Sequence, residues 1–221
     1  PVDCGPAGLR RVKARLGDQG LVGVFITYSC IVGNEEGIYH FADHPEELEG
    51  IKEQRLAQVE RRFADLMALP AEDRPDFLCV GGSGTLVFQT PAFFRENALP
   101  AMKRAIELAT DADIPTHVHS CGPEKELVRI MAEETSLTVI DPLEVPPMGD
   151  CDLAELKRAY GDRIVLKGNL HTTNVMLLGT PADVVAASRK AIDDAAAGGR
   201  FILSTGDQCG RDTPDENLFA M

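Results

Sequence analysis

The 221 residues include 22 basic and 35 acidic side chains, for a formal charge of −13. The apolar share of 44% and the charged share of 26% are those of an ordinary globular chain and exclude a fibrous or disordered one. The acidic balance argues against nucleic acid and anionic membrane surfaces, and no apolar run approaches the ~20 residues of a membrane span.

The chain opens on Pro1 rather than Met, with no basic stretch followed by an apolar one. It therefore reads as a processed or trimmed product without a visible signal peptide. The first β-rich run is 21–27 (LVGVFIT). A helical pattern follows over 46–69, with Asp43 and Pro45 as start signals. The run 77–80 (FLCV) leads into Gly81-Gly82-Ser83-Gly84, which lacks the spacing of a dinucleotide fingerprint and the Lys of a P-loop. That segment reads as a tight turn rather than a phosphate cradle. Thr90-Pro91 opens a helix over 92–110, pairing a capping hydroxyl with proline at the first helical position. Next come a strand at 116–119 (THVH), a helix at 124–134, a strand at 137–140 (LTVI) and a helix at 153–160. A strand at 163–167 (RIVLK) precedes Thr180-Pro181 and a helix at 182–197. The strand 200–204 (RFILS) leads to Thr213-Pro214, with Glu216 placed for a capping box, and a last helix from about Asp215.

Six strand–helix alternations without a Gly-, Ser- or Pro-rich linker predict one α/β domain over 1–221, its sheet parallel and its crossovers right-handed. An open doubly wound sheet and a (β/α)8 barrel both fit this order. The six cysteines, at 4, 30, 79, 121, 151 and 209, are scattered and come with no secretory signal. Thiols in a reducing, cytoplasmic compartment are expected, and Cys30, Cys79 and Cys151 read as buried or chance thiols.

Two strand ends carry chemistry. In Thr116-His117-Val118-His119-Ser120-Cys121-Gly122-Pro123, alternation puts His117, His119 and Cys121 on one face. In Ser204-Thr205-Gly206-Asp207-Gln208-Cys209-Gly210, Cys209 follows a strand at the same end of the sheet. One imidazole and two thiolates suit zinc, and three protein ligands leave one place open, which is a catalytic pattern. The plain alternative is a chance H-x-C with buried thiols.

His119-Ser120-Cys121-Gly122 resembles the H-x-C-G segment of the uroporphyrinogen decarboxylase-like superfamily. The resemblance continues through Asp141-Pro142, Gly149-Asp150-Cys151-Asp152-Leu153, Leu166-Lys167-Gly168-Asn169, Leu178-Gly179-Thr180-Pro181 and Thr213-Pro214 with Asn217. It also takes in Thr90-Pro91-Ala92-Phe93-Phe94. It runs over about residues 21–221 and is firmest from Thr90 onward. The His-x-Cys…Cys pattern resembles the zinc-dependent, cobalamin-linked methyltransferase branch. That resemblance implies a (β/α)8 TIM-barrel fold, here lacking the first one or two βα units. It implies zinc held by His119, Cys121 and Cys209, a corrinoid carried by a partner protein, and methyl transfer to or from a small thiol or methoxylated compound. His117, Asn169 and His171 would contact substrate or hold loops and core. Asp141 and Glu144 would be acid/base groups, a fourth ligand, or loop charges. The competing readings are a tetrapyrrole decarboxylase, which needs an Arg cluster in the barrel mouth, and a non-catalytic corrinoid-binding relic.

Overall fold

Each β-rich run condenses into a short strand in the computed structural model, which describes residues 6–221; Pro1 and Cys4 lie outside the described residues. The strands are β1 (Gly23–Phe25), β2 (Phe77–Cys79), β3 (Thr116–His119), β4 (Val139–Asp141), β5 (Val165–Leu170) and β6 (Phe201–Thr205). Sheet order follows chain order, β1 to β6, and the pairings with defined register are parallel. Unpermuted parallel strands with helical returns make this an α/β fold of the (β/α)8 pattern, represented by six strands. No helix among the described residues is long and apolar enough to cross a membrane.

The chain divides into two compact units. The first holds the described residues up to Gly82 together with Phe88–Val118, and the second holds Ser83–Val87 and His119–Met221. In the first, β1 pairs with β2 from Gly23↔Phe77 to Phe25↔Cys79, and β2 continues onto β3 through Cys79↔His117. Its helices are α1 (Pro6–Leu16), α2 (Glu35–Asp43), α3 (Glu47–Met67), α4 (Pro91–Asn97) and α5 (Leu99–Asp111). Leu99, Met102, Ala105, Ile106 and Ala109 recur every three or four residues on α5 and are buried, so this helix covers the unit's core along one stripe.

The single helix expected over 92–110 is two, because Pro100 has no N–H for the ladder and its ring disfavours helical backbone before it. The break falls at Ala98. Helix α2 was not expected. It buries none of its residues, so no apolar stripe announces it, and it is held by Asn34, whose Oδ1 accepts from Gly37 N at 2.9 Å. Asp43 closes α2 instead of starting the long helix, and α3 begins without a side-chain cap.

In the second unit, β4 pairs with β5 from Val139↔Val165. The longest register runs from Leu166↔Phe201 to Leu170↔Thr205. The helices are α6 (Lys125–Glu134), α7 (Leu153–Tyr160), α8 (Pro181–Ala195) and α9 (Asp215–Ala220), with a π turn at Thr172–Leu177. Leu127, Ile130, Met131, Ile140, Leu156 and Leu166 are fully enclosed in its core. Thr90 caps α4, and Thr180 forms a complete capping box with Asp183 on α8. Thr213 does not cap α9, contrary to its sequence pattern. The helix starts one residue later, after Pro214, and the Thr213 hydroxyl is buried without a hydrogen-bond partner among the described residues.

Candidate metal centre

The period of two along β3 turns Thr116 and Val118 to the buried side and His117 and His119 to the half-buried side. His119 leaves the strand with both ring nitrogens engaged. Nδ1 is 2.9 Å from Asp141 Oδ1, and Nε2 is 3.7 Å from Asp207 Oδ1. Asp141 is the last residue of β4, while Asp207 sits in the loop after β6. Only the parallel register brings these strand ends together. Lys167 of β5 forms an ion pair with the second oxygen of Asp141. Asp141 thus accepts from His119 Nδ1–H on one side and balances Lys167 on the other, leaving Nε2 of His119 as the outward nitrogen.

The ligand atoms of His119, Cys121 and Asp207 all lie within 4.8 Å of one another. An imidazole nitrogen, a thiol sulfur and a carboxylate oxygen at that spacing fit a borderline divalent ion such as zinc. A carboxylate behind the imidazole is the arrangement that fixes tautomer and ring orientation in metal-binding histidines. Cys209, two residues beyond Asp207, is half-buried and stands outside this group. The loop turns sharply at Asp207, whose φ is +147°. There its carbonyl accepts from Thr205 Oγ1 at 2.7 Å and its Oδ1 from Gln208 N at 2.7 Å. His117 belongs to the first unit, edge-on to Phe77 at 5.8 Å and with Nδ1 3.9 Å from Cys79 Sγ. All five cysteines among the described residues are free thiols.

Beside the cluster, carboxylates tie the loop after β3 to the loop after β4. Glu144 Oε2 accepts from Gly122 N at 2.6 Å, and Glu124 Oε2 accepts from Leu143 N at 2.7 Å. Asp150 Oδ1 accepts from both Glu124 N and Lys125 N, at 2.8 and 2.9 Å. This crossed brace fixes the residue that follows Cys121. Leu143 takes φ +60° within it, a strained conformation for a branched side chain. Glu144, Val145, Met148, Asn169, His171, Thr172 and Gly206 line a small open cleft, with room for about one water. Asn169 Nδ2 donates to Leu143 O at 3.2 Å. His171 Nδ1 accepts from Thr173 N and Asn174 N at 3.1 and 3.2 Å.

Electrostatics follow from these contacts. The hydrogen bond to Asp141 lifts the His119 imidazole above its ordinary range. The Asp141 and Asp207 charges add to this, while burial and Lys167 pull the other way. Burial pushes the Glu124 carboxyl well above the usual carboxylate range, with Asp141, Glu144 and Asp150 reinforcing it. Burial also raises the Cys151 thiol, so that cysteine is an inert packing group. Sequence alone assigns no role to Asp207, Lys167 or Glu124. Lys167 falls in the Leu166-Lys167-Gly168-Asn169 motif and Asp207 two residues before Cys209, so position is the one signal they carry.

Comparison with known proteins adds three findings. The family model of uroporphyrinogen decarboxylase (URO-D) matches residues 76–221. The methylcobamide:CoM methyltransferase MtbA of Methanosarcina mazei is 30% identical over 131 residues, covering 58% of this chain and 35% of that protein. Its Methanosarcina acetivorans counterpart is 27% identical over the same shares, so the match spans about a third of the length of these curated relatives. Among solved structures, a methyltransferase from Methanosarcina mazei superposes with a TM-score of 0.66 at 16% identity, over 97% of this chain and 61% of that one. A putative vitamin-B12 independent methionine synthase from Listeria monocytogenes gives 0.59 at 14%, over 97% and 66%. At those identities the structural likeness shows the fold alone.

Proposed function

The chain belongs to the uroporphyrinogen decarboxylase (URO-D) family, and from that premise we propose that it serves a zinc-dependent methyl transfer between a small substrate and a corrinoid carried by a partner protein. The observation that carries this reading is the His119–Cys121–Asp207 donor group with Asp141 behind the imidazole. The two methylcobamide:CoM methyltransferase relatives support the reaction class. A single barrel-type domain over 1–221 in a reducing, cytoplasmic setting completes the reading.

His119 offers Nε2 to the ion and Cys121 its thiolate. The third ligand comes from the loop between β6 and α9, where Cys209 offers a second thiolate and Asp207 a carboxylate. When bound, zinc would supply Lewis acidity, favouring the thiolate form of a substrate thiol or polarising a methoxyl oxygen. Asp141 is a positioning residue: it accepts the Nδ1–H of His119 and so sets the tautomer and turns Nε2 toward the metal. Lys167 pairs with the second oxygen of Asp141 and holds that carboxylate in place. Glu144, Asn169 and His171 form the wall that a substrate would touch.

Elemental analysis of the purified chain and of four variants tests this. Zinc at one per chain is expected for the wild type. It should be lost in His119→Ala and Cys121→Ser, which retain the fold. Cys209→Ser and Asp207→Ala then decide which loop residue is the ligand, since the ion disappears with the true one. A methyl-transfer assay with a corrinoid and a panel of thiols and methoxylated aromatics follows. A metal-free wild type that binds a porphyrinogen would instead support the decarboxylase reading.

A further inference from the structure

In the first unit, the junction between α2 and α3 gathers a separate group of donors. His40 and His44 are four positions apart, so both imidazoles fall on one face at the end of α2. Their ring centres lie 5.1 Å apart, with the planes tilted by 44°. Two imidazoles on one tetrahedral ion, at the usual zinc–nitrogen length, place their ring centres about 5 Å apart. The helix end thus already holds this pair at chelating separation.

Carboxylates arrive from the start of the next helix. Glu47 N–H donates to His44 O at 3.2 Å, which closes the turn between the two helices. Glu47 Oε2 lies 2.9 Å from His40 Nε2, and Glu46 Oε1 lies 3.4 Å from His44 Nδ1. The four side chains therefore rest as two histidine–carboxylate couples. All four are exposed, and surface couples of this kind are given up at little cost when an ion offers stronger bonds. Helix α2 also lacks other support, since it buries none of its residues. An element without buried surface opens readily, so a tie at its end would be felt.

We infer that His40, His44 and Glu47 form a further metal site, which takes a borderline divalent ion such as zinc and clamps the end of α2 to the start of α3. Two imidazoles select such an ion over magnesium and calcium, which take oxygen donors. The charges of Glu46 and Glu47 favour a cation over any anion. Because its donors are open to water, the site holds zinc at about micromolar strength. It fills only at zinc levels well above those that saturate the His119 centre, and it releases its ion on dialysis. The inference is independent of the proposed reaction, for which none of these residues is needed.

Calorimetric titration of the dialysed full chain with zinc is the first test. One equivalent should bind beyond any already held. His40→Gln, His44→Gln and Glu47→Gln should each weaken that equivalent at least about tenfold, while His119→Ala retains it. The three substituted side chains are exposed, so these variants keep the fold. Hydrogen exchange of the α2 amides gives a second reading on the wild type. Zinc at about ten times the Kd of this site should slow their exchange about tenfold, and magnesium at the same concentration should not. In His44→Gln the zinc effect should vanish. The inference is overturned by the absence of the added equivalent, by undiminished binding in any of the three variants, by α2 exchange that zinc leaves unmoved, or by an equal response to magnesium.

Discussion

At the scale of single residues, the centre depends on carboxylates whose environments set different tasks. Asp141 is nearly buried and pairs with two nitrogen groups, on His119 and Lys167, among its contacts. Removing it frees the imidazole to rotate and leaves Lys167 without its counter-ion. Asp141→Ala is therefore expected to weaken zinc binding by about 10- to 100-fold, the usual cost of losing such a partner. Competition with a chromogenic chelator measures this, and unchanged affinity would show that the imidazole needs no brace. Glu124 is the opposite case, a fully enclosed carboxyl whose Oε1 has no partner among the described residues. Its folded-state value lies well above that of the unfolded chain. The folded state therefore keeps a proton that the unfolded state has lost, and stability contributed by this group falls as pH rises. Glu124→Gln mimics the protonated form. From about pH 5 to about pH 8 the wild type should lose more unfolding free energy than this variant. Parallel urea titrations at the two ends of that range compare them.

At the scale of elements, the loops are pinned as firmly as the strands. Gly149 shows how little room the brace leaves. A Cβ there would come within 2.3 Å of Glu144 O and 2.6 Å of Gly122 O, both backbone atoms that cannot swing aside. Gly149→Ala should therefore destabilise the protein by about 1–3 kcal/mol, visible as a lowered thermal midpoint. It should also lower zinc affinity, because Gly122 follows Cys121. On α9, Asn217 is 1% exposed, and its Nδ2 donates to Met176 O and Gly179 O at 2.9 and 2.8 Å. The helix is thereby tied to the end of the π turn and to the start of α8. Asn217→Ala strands two buried carbonyls and should cost about 2 kcal/mol in urea unfolding. A cost near zero would mean that water replaces the amide.

At the scale of the whole molecule, bound metal should act as a staple on the second unit, whose residues supply all the donors. A ligand that binds only the folded state adds about 2.7 kcal/mol at a hundredfold excess over its Kd. Zinc should raise the unfolding midpoint of the wild type and leave that of Cys121→Ser unmoved. The same scale shows how far local reading reaches. Amino-acid order alone determined six β-rich runs, the helix starts at Thr90 and Thr180, and the pairing of His119 with Cys121 by alternation, because these depend on neighbours within a few residues. It also carried the family, since the motifs from Thr90 onward are short and local. Only tertiary structure decided that Asp207 stands beside His119, that Lys167 balances Asp141, and that Glu124 and Glu144 cross between loops. Each of those contacts joins residues about twenty to ninety positions apart through the lateral register of parallel strands. Sequence periodicity encodes which face a side chain takes, but it holds no measure of which strand end will lie next to another.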